Sequence, residues 1–122
     1  MKKRILIIDD EFGLADIVAQ VLDDVGYDAS VAINGRLGLD RLQEQGADLV
    51  LLDIMMPIMD GRAMLREMRN DARFKSVPVV LMTAVPEALP REEPSLHQAA
   101  LVKPFSLEEL FAVIRRFLEP AK

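Results

Sequence analysis

Residues 5–8, 49–52, 79–82 and 101–102 are short apolar runs, and each stops at a polar side chain: Asp9 and Asp10 after the first, Asp53 after the second, Thr83 after the third and Lys103 after the fourth. Between them lie longer stretches in which apolar residues recur at steps of three and four. Short strands alternating with helical stretches are the pattern of βαβ units and a parallel sheet. In an open α/β sheet, ligands bind beyond the carboxyl ends of the strands. Three carboxylates, a hydroxyl and an ammonium group would therefore converge at one end of the sheet.

The intervening segments fit that scheme. Leu14, Ile17, Val18, Val21, Leu22 and Val25 recur at helical spacing before Gly26, which predicts an amphipathic first helix. Residues 27–33 read as a second strand, and Leu37, Leu39 and Leu42 mark a second helix ending before Gly46. The third strand, 48–52, is continuously apolar at 49–52, as parallel strands covered on both faces tend to be. Residues 56–61 read as a turn, and 62–69 as a third helix with Met64, Leu65 and Met68 inward. Ser106 and Glu109 form a capping-box pattern that opens a final helix with Leu110, Val113, Ile114 and Phe117 inward.

One interval breaks the alternation. Between Thr83 and Leu101, Pro86, Pro90 and Pro94 recur every four residues, and each would cost a helix interior ~3 kcal/mol. A loop is expected there, with one short helical turn over residues 95–99. No internal repeat or low-complexity linker is present.

Length and composition narrow the function. A chain of 122 residues reads as one domain, 1–122, able to bury a core without disulfides or structural metal, and it has no Cys. No apolar run approaches the ~20 residues of a membrane span, and no cationic apolar leader precedes the first strand, so a cytoplasmic setting with no membrane contact is expected. The net charge of −5 opposes direct nucleic-acid binding, which calls for basic faces.

The residues at the strand ends carry the chemistry. Asp9, Asp10 and Asp53 crowded into a partly desolvated pocket would repel one another, and a hard divalent cation such as Mg2+ relieves that repulsion. An aspartate can also attack a phosphoryl donor to give an acyl phosphate. Asp53 is the best candidate nucleophile because it stands alone at its strand end. Lys103 would bind a phosphoryl oxygen as a point charge and Thr83 would donate a hydrogen bond to another. Pro104 ends the strand and constrains the lysine before it.

In their order along the chain, Asp9-Asp10-Glu11, the 53–61 segment with its Met56-Pro57 and Asp60-Gly61, Thr83-Ala84 and Lys103-Pro104-Phe105 resemble the receiver domain of two-component response regulators. The resemblance covers almost the whole chain. It implies a flavodoxin-like (CheY-like) α/β fold, a doubly wound five-stranded parallel sheet in the order 2-1-3-4-5, with the fourth helix lost or shortened. It further implies Asp53 as phosphoacceptor, Asp10 as a direct Mg2+ ligand, Asp9 as a ligand largely through water, and the Met55 carbonyl as another. Thr83 and Lys103 match the family's switch hydroxyl and lysine. The implied donor is the phosphohistidine of a sensor histidine kinase or phosphotransfer protein, and the implied output is a downstream protein target. Such a chain catalyses only its own phosphorylation and dephosphorylation and is not a turnover enzyme.

Departures from the family pattern shape the expectations. The aromatic residue that receivers carry three positions before the lysine is Ala100 here, and the interval from Thr83 to Lys103 is short. A readout other than a fourth helix is thereby needed, and ordering of the 85–98 segment by the phosphoryl group is the substitute expected. Met55 and Val85 occupy the positions that flank the attacking water in receivers, and neither can orient it by a hydrogen bond, so slow self-dephosphorylation is expected.

Blander readings compete at every position. Asp9-Asp10-Glu11 alone would complement a helix dipole, Lys103 alone would be a solvated strand end, and Thr83 alone a satisfied hydroxyl. Met55, Met56 and Met59 read as packing and loop residues in a chain without Cys or clustered His. His97 reads as a surface residue. Phe12 and Leu14 read either as core or, since the resemblance implies kinase docking on this helix, as an exposed apolar contact. A flavin or nucleotide binder would want a Gly-rich loop where this chain has three acids, and an Asp-based phosphatase would want an acid at position 55. The remaining alternative is a degenerate receiver acting as a phosphorylation-independent protein-interaction module.

Overall fold

The apolar runs pair as one parallel sheet. In the computed structural model, which describes residues 2–91 and 95–118, the elements run β1 (Arg4–Ile8), α1 (Phe12–Asp24), β2 (Asp28–Ala32), α2 (Gly35–Gln45), β3 (Leu49–Asp53), α3 (Gly61–Arg69), β4 (Val79–Thr83), a 3-10 turn (Pro86–Ala88), β5 (Ala99–Val102) and α4 (Leu107–Phe117). The sheet order is β2-β1-β3-β4-β5, all parallel, as expected. Among the described residues no helix is long and apolar enough to cross a membrane.

Successive strand residues point to opposite faces, and this divides the core in two. Ile5, Ile7, Leu49, Leu51, Val80, Met82 and Leu101 pack under α1 and α4. Leu6, Ile8, Val50, Leu52, Val79 and Leu81 pack under α2 and α3, against Leu42, Met64, Leu65 and Met68. Every residue of β3 and β4 is buried, which is why their sequences read as unbroken apolar runs and not as alternation. Register then aligns the strand ends: Ile8 lies beside Leu52, Asp53 beside Met82, and Thr83 beside Val102.

Local signals set the helix boundaries. Asn34 caps α2 by accepting from the Leu37 amide, Asp60 caps α3 by accepting from Ala63, and the Ser106–Glu109 capping box forms at α4. Helix α1 buries only part of its apolar set. Ala15, Val18 and Leu22 face the sheet, whereas Leu14, Ile17 and Val25 are 41%, 62% and 55% exposed. The helix carries more apolar residues than one stripe can hold, and the small Ala15 lets the Ala15–Val18–Leu22 line sit against β1. At the far end of the chain, Leu118 is buried and Phe117 only partly so.

The expected helical turn over residues 95–99 does not form. The only 3-10 turn among the described residues is Pro86–Ala88, with proline in its first turn, where the missing N–H is no loss. Residues 95–98 are irregular and Ala99 already belongs to β5; Pro94 lies outside the described residues. The segment is instead held by Arg69. Its guanidinium donates to the carbonyls of Leu96 (2.8 Å), Val77 (2.9 Å), Phe74 and Lys75 (both 3.2 Å) and to the Gln98 side chain (2.9 Å). The same Gln98 oxygen accepts from the Val79 amide at 2.8 Å, and the Gln98 amide donates to the Val79 carbonyl. One side chain at the end of α3 thus anchors what the missing helix would otherwise position.

Arg69→Ala should therefore lower stability by about 2 kcal/mol, the scale for losing charge-assisted bonds to partly buried carbonyls. Urea unfolding measures it, and amide exchange should accelerate at residues 96–98; a loss below about 0.5 kcal/mol, the range of ordinary surface substitutions, would show that the clamp contributes little.

Candidate functional site

Strand ends converge the predicted residues at one end of the sheet. Asp9 follows β1 and is 2% exposed, Asp53 ends β3 at 7%, and Thr83 ends β4 at 2%, while Asp10 is exposed. Carboxylate oxygens of Asp9, Asp10 and Asp53 all lie within 4.8 Å of one another. Lys103, directly after β5, reaches across them: its Nζ lies 2.8 Å from Asp9 Oδ2, 3.2 Å from Glu11 Oε1 and 3.6 Å from Asp53 Oδ1. Asp9 is fixed further by the Glu11 amide, which donates to its Oδ1 at 2.9 Å.

The loop that follows Asp53 is shaped by backbone constraints. Gly61 opens α3 against the backbone of β3, where a Cβ would overlap the Asp53 carbonyl oxygen, and its amide donates to the Ile54 carbonyl. Gly35 approaches the Met59 carbonyl nearly as closely, with a Cβ position 2.7 Å from that oxygen. Between these contacts Ile58 adopts φ 70° and is 84% exposed, a strained conformation for a β-branched residue. Met55 is 62% exposed and lines a cavity of about 400 Å3 with Asp10, Met56, Pro57, Asp60 and Arg62.

Thr83 is tied to the loop beyond it. Its hydroxyl accepts from the Val85 amide at 2.9 Å and donates to the Val85 carbonyl at 3.1 Å. That carbonyl also accepts from the Ala88 amide and so closes the 3-10 turn. Ala100 is exposed on β5. The Lys103–Pro104 peptide bond is cis.

Charge and burial act on each other here. Burial pushes the Asp53 carboxyl up to about 6, aided by repulsion from Asp9 and Asp10 and opposed by Lys103. Burial also works against the Lys103 charge, yet its contacts with Asp9, Asp53 and Glu11 outweigh that and hold its pKa above the ordinary value. The site is overloaded with negative charge that one ammonium only partly offsets. Three clustered hard oxygen donors of this kind suit a hard divalent cation.

The model of the response regulator receiver domain matches residues 5–115. The chain belongs to that family. Among its relatives, the response regulator Rre1 of Synechocystis sp. is 39% identical over 119 residues, covering 93% of this chain and 51% of the relative. The receiver thus spans about half the length of the curated relatives it matches. Among solved structures, the chemotaxis response regulator CheY4 of Vibrio cholerae superposes with a TM-score of 0.84 at 27% identity, covering 97% of this chain and all of that one. The receiver domain of sensor histidine kinase PA1611 from Pseudomonas aeruginosa, solved with a magnesium ion coordinated in its active-site cleft, gives 0.82 at 25% identity, covering 96% and 98%.

Of the strand-end residues picked from the sequence of this receiver, Asp9, Asp10, Asp53 and Lys103 are brought into one cluster, and Thr83 ends the strand beside Asp53 with its hydroxyl on Val85. Two features were not anticipated: Glu11 as a partner of Lys103, and Arg62 lining the same cavity as Asp10. Glu11 was visible only as the third acid of a triplet, and no spacing signal marks Arg62. His97 is half-buried and not a free surface residue, its Nδ1 3.1 Å from the Ser95 hydroxyl. Leu14 lines a cavity of about 350 Å3 beside Lys103, and the Phe12 side chain lies outside what the structure describes.

The raised Asp53 pKa has a stability consequence. Because the folded value lies above the unfolded one, 3.8, this group favours folding below about pH 3.8, and that contribution is lost as pH rises through about 6. At pH 7 without metal, Asp53→Asn should stabilise the chain by about 1–3 kcal/mol, a gain that shrinks toward pH 4. Thermal melts of both chains across pH 4–8 check it, and an Asn variant less stable at pH 7 refutes it.

Proposed function

We propose that residues 1–122 act as one phosphorylatable receiver that takes a phosphoryl group onto Asp53 from the phosphohistidine of a sensor histidine kinase or phosphotransfer protein. The observation that carries this is Lys103 reaching Asp9 and Asp53 within one cluster of three acids. In this scheme Asp9, Asp10, Asp53 and the Met55 carbonyl hold Mg2+. The bound cation would neutralise carboxylate charge and the charge of phosphoryl oxygens. Asp53 supplies the attacking oxygen, Lys103 pairs with one phosphoryl oxygen, and the Thr83 hydroxyl donates to another. Met55 and Val85 offer no side-chain hydrogen bond to a hydrolytic water, which favours a long-lived acyl phosphate.

Output runs through Thr83 in the same scheme. A hydroxyl that turns to a phosphoryl oxygen gives up its donor bond to the Val85 carbonyl, the carbonyl that also closes the Pro86–Ala88 turn. With Ala100 in place of an aromatic, the 85–98 segment becomes the element that responds. Ala100 and the lost fourth helix equally favour a second reading, a receiver that binds its partner without phosphorylation.

Intact mass after incubation with Mg2+ and acetyl phosphate separates the two. A Mg2+-dependent gain of about 80 Da, the mass of one phosphoryl group on an aspartate, absent in Asp53→Asn, is the expected result; no gain favours the phosphorylation-independent module. After donor removal the gain should persist well beyond seconds. In the phosphorylated chain, amide exchange should change across residues 85–91 and 95–98, and an unaltered pattern there would rule out this route of output.

A further inference from the structure

We propose that Glu11 is a positioning residue that draws Lys103 toward the mouth of the site and discriminates among phosphodonors by their charge. The inference rests on Asp53 as phosphoacceptor. Within hydrogen-bond reach of the Lys103 ammonium are Asp9 at 2.8 Å and Glu11 at 3.2 Å, while Asp53 stands off at 3.6 Å. The lysine is therefore committed to the Asp9 and Glu11 side. Of these two, Asp9 is buried, with a side chain 3% exposed, and Glu11 has one 62% exposed. Glu11 is the solvent-exposed carboxylate of the two that hold the ammonium.

Its other surroundings support a role in the site. Glu11 precedes α1 as its N-cap, yet its side chain makes no capping bond. It lines the cavity of about 350 Å3 with Lys103, beside the apolar Leu14, Ala84, Pro104 and Phe105. In that apolar wall Lys103 and Glu11 are the charged pair. The backbone amide of Glu11 holds Asp9 Oδ1, a bond that survives any change of side chain.

Two consequences share one sign. Lys103 must loosen from Glu11 before it can pair fully with a phosphoryl oxygen, and an arriving anion meets the Glu11 charge at the mouth. Both slow an anionic donor, and the second grows with the donor's charge. Acetyl phosphate carries about two negative charges near neutral pH, and phosphoramidate, whose nitrogen is protonated, about one. In both transfers an Asp53 carboxylate oxygen forms the new bond to phosphorus. The P–O bond breaks in the first and acetate leaves with the electron pair; the P–N bond breaks in the second and ammonia leaves with it.

Initial phosphorylation rates with Mg2+ at low salt and limiting donor test this on the wild-type chain, Glu11→Gln and Glu11→Asp. Glu11→Gln should speed acetyl phosphate roughly tenfold and phosphoramidate roughly threefold, as one exposed charge acting on two and on one would do in a near-aqueous dielectric. The gap between donors should close at about 1 M salt, where screening reaches only ~3 Å. Glu11→Asp keeps the charge and should keep the wild-type ratio between donors. Equal factors for both donors, or slower transfer from both, overturn the proposal while leaving Asp53 as phosphoacceptor. A wild-type chain that takes a phosphoryl group from neither donor overturns the proposed function and this inference with it.

Discussion

Three carboxylates sharing one ammonium is the constraint around which this end of the molecule is arranged. Asp9 and Asp53 are nearly inaccessible to water, so their charges cannot be dissipated by solvent, and Lys103 is the cation that reaches both. The parallel register serves that meeting. Asp9 follows Ile8, which lies beside Leu52, so the β1 and β3 acids leave the sheet at one level; Lys103, whose amide donates to the Thr83 carbonyl, leaves it one strand beyond β4. A slip of one residue in β3 would turn Asp53 from one face of the sheet to the other and dissolve the cluster.

Stability and chemistry pull in opposite directions here. A carboxyl whose pKa is pushed up to about 6 is a group the fold would rather protonate, and the chain keeps it ionised at neutral pH at some expense to the folded state. Ile58, a β-branched residue at positive φ a few positions later, adds backbone strain to the same loop. The core offsets this with two closed layers of aliphatic side chains, and Ile8, Leu22, Leu49, Leu52, Ile54, Met64 and Leu110 have no exposure at all. Such local departures from the most stable choice are typical of sites that must act as well as persist.

Much of this was legible because it depends on local pattern. Parallel strands buried on both faces announce themselves as apolar runs, and Ser106 with Glu109 marked the start of α4 to the residue. Asp9, Asp10, Asp53, Thr83 and Lys103 could be assembled once the runs were taken as strands, since chain order and strand ends place them. What escaped depends on distance in sequence. Arg69 meets Leu96 and Gln98 across 27 and 29 positions, and Glu11 meets Lys103 across 92, with no period or motif linking them. The buried face of α1 escaped for another reason: Leu14, Ile17 and Val25 are as apolar as Val18 and Leu22, so hydropathy alone could not orient the helix.

The glycines at 35 and 61 divide the molecule mechanically. On the α2 and α3 side, backbone rests directly on backbone: Gly61 against the Asp53 carbonyl, Gly35 against that of Met59. Such contacts leave no room for a side chain between the two backbones. On the α1 and α4 side, the sheet meets its helices through side chains such as Val18, Leu22, Val113 and Ile114, which can exchange rotamers. A displacement at the Asp53 end of β3 therefore meets the start of α3 through direct backbone contact as well as through side chains, and meets α1 through side chains. Since Arg69 ends α3 and grips Leu96 and Gln98, the helix that starts against the Asp53 carbonyl also reaches, at its other end, into the stretch where a regular helix is missing.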